Sequence, residues 1–149
     1  MPEKRTLERA RKDKREGKAP STQAGEFIRE EFDHIRAGKH GARSTKQAIA
    51  IGLSKARKAG VKLPPPAKGT VSEATRRGAA RAYREGQSNG HHAPTPKRSR
   101  ATLNALKHEG RQAASHTAIA RHSKTAARQH TAAERSASAR KAARTRASH

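Results

Sequence analysis

The residues best suited to do chemistry in this chain are its arginines and lysines, and the chemistry they offer is neutralisation of phosphate. If residues 117–146 wind as one helix, Arg121, Lys124, Arg128, Arg135 and Arg146 fall on a single narrow face. Their spacings of three, four, seven and eleven all return to one side at about 3.6 residues per turn. An alanine-coated rod with one cationic stripe can lie along a phosphate backbone. Arg140, Lys141 and Arg144 point elsewhere, which suits wrapping more than groove reading. Arg77, Arg81 and Arg84 make a shorter stripe of the same kind upstream. Bases this frequent also align by chance on a solvated helix, so both readings stand at this point.

Other chemistries find less support. There is no cysteine, which excludes disulfides, thiolate catalysis and cysteine-ligated zinc. His91, His92, His116, His122 and His130 have only Glu109 and Glu134 near them in sequence, so no metal site is expected; their milder use is to add charge below pH ~6.5. No serine lies in a nucleophile-elbow sequence, and Gly38-Lys39-His40-Gly41 lacks the spacing of a phosphate loop. Glu26, Glu30, Glu31 and Asp33 gather on one stretch, where they offset basic neighbours or dock a basic arm of the same or a second copy. The expectation is a protein that is not an enzyme and takes no cofactor.

Composition frames this reading. Thirty-five Lys and Arg stand against 12 Asp and Glu in 149 residues, a net charge of +23, which draws a chain toward polyanions. Residues 1–20 carry a net +4, 21–63 a net +5 and 64–149 a net +14. Hydrophobic residues make up 31%, well below the ~45–50% of ordinary globular domains, and the aromatics are only Phe27, Phe32 and Tyr83. Much of the chain is therefore expected to be disordered or helical only when bound. No apolar run approaches a membrane span, and neither a secretory nor an organellar leader is visible. These features point to the cytoplasm and, with the charge, to the nucleoid.

The elements that must position the bases are helical. Nine large apolar residues lie in 21–63: Phe27, Ile28, Phe32, Ile35, Ile49, Ile51, Leu53, Val61 and Leu63. Ser21 or Thr22 caps a first helix, and Gly38 ends it in the left-handed position that glycine favours. Ser44-Thr45-Lys46-Gln47 reads as a capping box for a second helix. Gly52 allows close approach, Gly60 ends the helix, and Pro64-Pro65-Pro66 blocks its continuation. The short turn over 38–43 folds the pair into an antiparallel hairpin with Phe27, Ile28, Phe32, Ile35, Ile49 and Leu53 as its core. So few large side chains leave the hairpin marginal at best when alone, because ordering its backbone and side chains opposes what their burial contributes. A homodimer through the hairpin, a helper segment or another partner is therefore expected to complete it.

The remainder divides into a basic arm over 1–20, with a solvated helix over 5–15, a segment over 64–96, and a C-terminal arm over 97–149. The 64–96 segment holds the proline run, a helix opened by a capping box at Thr70-Val71-Ser72-Glu73, and a flexible loop over 87–96. The C-terminal arm begins with a short helix containing Leu103 and Leu106 that stops at Gly110. Beyond residue 110 alanine favours helix but offers nothing to pack. The fold class is thus all-α: a helical hairpin with basic, partly disordered or conditionally helical arms.

Two resemblances add to this. Thr95-Pro96-Lys97-Arg98, followed by Arg100, is similar to the Ser/Thr-Pro-basic-basic motif of linker-histone tails, and 139–144 (Ala-Arg-Lys-Ala-Ala-Arg) shares their texture. A proline-fixed turn would present two cations to the minor groove or backbone; an ordinary proline-initiated helix start fits the same four residues. The resemblance is one of composition, without a globular linker-histone domain. Secondly, Glu31-Phe32-Asp33-His34, Gly38-Lys39 and the run from Ser44 to Ser54 resemble a family of small basic bacterial proteins of unknown function. Its members share E-F-x-H-G-x-L followed by S-x-K-Q-A-I-A-I-A-L-S-E-A. The likeness covers about 31–57, with Gly52 in place of Ala and Lys55 in place of Glu. It implies the hairpin and no activity.

The expected function is nonspecific binding of nucleic acid, duplex DNA before single-stranded RNA because the aromatics of stacking platforms are scarce, of a nucleoid-associated, histone-like or DNA-protecting kind. Lys97, Arg98 and Arg100 join the two stripes and the C-terminal bases as contacting residues. A ribosome- or RNA-associated basic protein is a second expectation. A protein-interaction hairpin with solubilising tails is a third.

Overall fold

The computed structural model describes residues 1–88 and 94–148. His91, His92 and the middle of the loop expected over 87–96 lie outside them. The described residues form seven α-helices and no strand: α1 (Lys4–Arg15), α2 (Pro20–Arg36), α3 (Thr45–Lys58), α4 (Glu73–Gln87), α5 (Pro96–Lys107), α6 (His116–Arg128) and α7 (Ala132–Ala147), with a 3-10 turn at Gln112–Ala114.

The hairpin is α2 against α3. Its start differs from the sequence expectation: Pro20 occupies the first turn and Ala19 the cap position, with no side-chain cap. Proline suits that turn because its missing N–H would have no intrahelical partner there. Gly38 has φ +76° and closes α2 as expected. Ser44 caps α3 by accepting from Gln47 N. The Gln47 side chain, however, accepts from Arg43 N rather than from Ser44 N, so the reciprocal bond is displaced one residue into the turn.

Small residues dominate the contact between the two helices. Phe27, Ile35, Ala24, Ala48, Gly52 and Ala56 are buried, whereas Ile28, Phe32, Ile49 and Leu53 are half-buried. A Cβ on Gly52 would lie 2.7 Å from Ile28 Cα, and that close approach leaves the larger side chains at the edges. Two apolar clusters result. One gathers Ala10, Ala24, Phe27, Ala56 and Val61 with Leu7, Leu53 and Leu63 against it; the other gathers Ile35, Ala42, Ala48, Ala113 and Ala114 with Phe32 against it.

These clusters identify the helpers the hairpin needs. The N-terminal helix is not a solvated arm: α1 lies on α2, burying Thr6, Ala10 and Asp13. On the other side α4 lies on α3 through Ala79 and Ala82. Arg57, buried, donates from Nε to Leu63 O and from Nη2 to Pro64 O, which folds the proline run back against α3; burial lowers its pKa. The cap of α4 is Ser72, accepting from Thr75 N, rather than Thr70, and the helix runs on to Gln87.

The expectation that nothing after residue 110 packs is overturned. Ala113 and Ala114 are buried in the second cluster. Thr45 Oγ1 donates to Ala113 O at 2.7 Å, and Arg36 Nε to Ala114 O at 2.9 Å. Gly41 N reaches Leu106 O, and Ala42 N reaches Gly110 O. A Cβ at Gly41 would sit 2.0 Å from Glu109 O, so this crossing needs a glycine. Alanines and backbone carbonyls do the docking, which is why no large apolar residue marks the segment.

The arms expected to be partly disordered or conditionally helical are helical here, each helix with a side-chain cap: Thr95 for α5, Ser115 for α6, Thr131 for α7. No residue of α5, α6 or α7 is buried.

Candidate nucleic-acid interface

The basic stripe proposed over 117–146 does not lie on one rod. The chain breaks at 129–131, where Thr131 and Glu134 form a full capping box, Thr131 Oγ1 accepting from Glu134 N and Glu134 Oε2 from Thr131 N. That backbone bond, with the Thr131 side chain, holds the Glu134 carboxyl below the usual carboxylate range. Arg121, Lys124 and Arg128 therefore share one face of α6, while Arg135, Arg140, Lys141, Arg144 and Arg146 ride on α7. Arg135 is turned back: its Nη1 donates to Ala127 O and His130 O, closing the C-terminal end of α6 where cations are favoured.

The remaining candidates divide between α4 and α5. Arg77, Arg81 and Arg84 fall on the face of α4 turned from α3, and Lys97, Arg98 and Arg100 on the first turns of α5. Thr95-Pro96 opens α5 as a helix start, with Thr95 Oγ1 accepting from Arg98 N, rather than as a free turn. All fourteen candidate bases are exposed. Among the described residues Arg77 alone of them pairs with a carboxylate, Glu73 at 3.6 Å. Glu73 is bound more tightly by Arg76, which holds its carboxyl down and whose own pKa it raises.

The carboxylates are spent elsewhere. Glu26 meets Arg9 at 3.7 Å; Glu30 and Glu31 meet Lys55; Asp33 meets Arg36. Asp13 and Glu16 meet Lys18, whose pKa they raise, Asp13 foremost. The acidic stretch of α2 is thus held by α1, α3 and its own helix. Excess positive charge is left on the outer surfaces of α4, α5, α6 and α7.

One group of chemistry-bearing residues was not foreseen. Glu31, His34 and His40 each offer a ligand atom within 4.8 Å of the others. Glu31 and His34 are one turn apart on α2, a spacing visible in the sequence, but His40 joins them only through the folded turn after Gly38.

Taken together these features define an all-helical protein whose outer helices α4 to α7 carry fourteen exposed bases. Residues 11–68 match the model of a family described as "Family of unknown function (DUF6496)". That stretch takes in the end of α1 and the whole hairpin, and agrees with the resemblance read over 31–57. No curated protein and no solved structure matches the chain. No helix among the described residues is long and apolar enough to cross a membrane.

Proposed function

We propose that the protein binds nucleic acid, duplex DNA in the first place, without base specificity, as a nucleoid-associated or DNA-protecting component. The observation that carries this reading is the fourteen exposed bases of α4 to α7, of which only Arg77 has a carboxylate partner among the described residues. Cations left without counter-charge gain by displacing the condensed ions of a polyphosphate. Helices α6 and α7, of 13 and 16 residues, span ~20 and ~24 Å at ~1.5 Å per residue. Each is long enough to follow several phosphates, and the break between them lets their faces turn separately, which suits wrapping. The hairpin with α1 and α4 serves as the platform that carries them.

The test is to purify the full chain from its native host at low and high salt and sequence what copurifies. Duplex DNA of no common sequence that is lost at high salt supports the reading. Structured RNA retained in preference to DNA would favour the ribosome- or RNA-associated alternative. Absence of nucleic acid at low salt would overturn both and leave the hairpin as a protein-interaction module.

A further inference from the structure

We propose that Glu31, His34 and His40 form a binding site for a transition-metal ion of the zinc class. Glu31 is fully buried, and its Oε2 has no hydrogen-bond partner. The group facing that oxygen is His40 Nε2, 3.2 Å away. The other ring nitrogen of His40, Nδ1, lies 2.9 Å from Gly41 O. A carbonyl can only accept, so Nδ1 carries the hydrogen and, in the neutral ring, Nε2 presents a lone pair. A lone pair and a carboxylate oxygen then face each other in a buried place, an arrangement that calls for a cation between them.

The third ligand and the surroundings fit a metal. His34 donates from Nε2 to Glu3 Oε1 at 2.9 Å, which leaves it Nδ1 to offer. Both histidines thus give one ring N–H to a carboxylate or carbonyl, the outer bond that orients metal-ligating imidazoles. Lys55 binds the other oxygen of Glu31, leaving Oε2 free to bind singly. Glu3 is in turn bonded by Lys39, and with His34 first and Lys39 second its carboxyl is held below the usual range.

One of the ligand pairs already stands at the spacing zinc requires, and the three ligand atoms lie within 4.8 Å of one another. Ligands ~2.0–2.1 Å from a tetrahedral ion lie roughly 3.3 Å apart, and the Glu31–His40 pair already has that separation. Two imidazoles and one carboxylate select zinc, cobalt or nickel over magnesium or calcium. Three protein ligands leave a fourth position for water. The ion would tie α2 to the turn that carries Gly41 and Ala42, where 106–110 docks. This inference is independent of the nucleic-acid reading.

The experiment uses the full chain, freed of metal with chelator and titrated with Zn²⁺ by calorimetry and with Co²⁺ by visible absorption. The expected result is one high-affinity ion per chain, intense Co²⁺ bands of four-coordinate character, and a higher melting temperature. H34Q, at a half-buried position, and H40Q each weaken that site at least tenfold, while replacing His108, His116, His122 and His130 together leaves it unchanged. Should H40Q fail to fold, paramagnetically shifted imidazole protons of His34 and His40 in the Co²⁺-loaded wild type provide the same assignment. No saturable site at micromolar metal, or a site indifferent to H34Q and H40Q, overturns the proposal. So does NMR showing His40 as an imidazolium paired to Glu31 with zinc in excess, since a proton then fills the role.

Discussion

Thr45 Oγ1 donates to the carbonyl of Ala113, 68 residues further along the chain, at 2.7 Å. The two residues are buried at the point where the hairpin turn receives the 3-10 turn before α6. Through this bond and that of Arg36 to Ala114, the start of the C-terminal half is fixed to the hairpin. The same segment covers the apolar end of α3 that the hairpin alone leaves open.

Replacing Thr45 with Val keeps the volume and removes the donor. The Ala113 carbonyl is then buried without its partner, at a cost of about 1–3 kcal/mol. T45V should lower the urea midpoint accordingly, and amide exchange should quicken at 112–118 more than in α2.

Two glycines on neighbouring helices should respond oppositely to the same change. At Gly52 a Cβ meets Ile28 Cα at 2.7 Å, whereas at Gly78 it meets nothing within 4 Å. G52A forces α2 and α3 apart and should destabilise by about 1–3 kcal/mol. G78A, inside α4, should stabilise by about 0.5–1 kcal/mol. Thermal unfolding of the two variants beside the wild type checks both signs.

Lys55 is the cation that lies against Glu31 and Glu30. K55M leaves a fully buried carboxylate without its counter-charge, and loss of one partner of such a pair costs about 3 kcal/mol or more. In metal-free protein the double variant K55M/E31M should recover much of that loss, as measured by urea unfolding. If the double variant is no better than the single one, the pair is not the source of the effect.

The cap of α7 should be sensitive to acid. Bonding to Thr131 lowers the Glu134 pKa, so the folded form prefers the ionised carboxylate. Its contribution is complete above the ordinary carboxylate range and is lost as pH falls through the lowered value. Carbon chemical shifts of 132–136 should lose helical character across that interval. In E134Q, whose amide oxygen can still accept from Thr131 N, they should change little.

How much of this was legible in sequence depends on what each contact is made of. The hairpin could be read because Gly38, Ser44 and the prolines punctuate it, and because Phe27 and Ile35 are large enough to mark an inner face. The docking of α1 could not, since Thr6, Ala10 and Asp13 do not stand out as a core. Ala113 and Ala114 were hidden likewise among many alanines. The break before α7 was written plainly in Thr131-Ala132-Ala133-Glu134, but the regular recurrence of arginine suggested one continuous rod. For the bases, sequence foretold exposure well. It could not show that Arg135 turns back to cap α6, nor that folding brings His40 to Glu31 and His34.

The central claim is that exposed bases of α4 to α7 bind polyphosphate by releasing its counterions, and its most direct test is a salt titration. Affinity of the full chain for a duplex of arbitrary sequence should be measured by fluorescence anisotropy between 50 and 200 mM salt. With about 6–10 phosphate contacts the account predicts a fall of roughly 10³–10⁵-fold over that interval. Changing Arg121, Lys124 and Arg128 to Gln should make the slope shallower by about three contacts' worth. Affinity that stays flat across the interval, or no binding at 50 mM, would contradict the account.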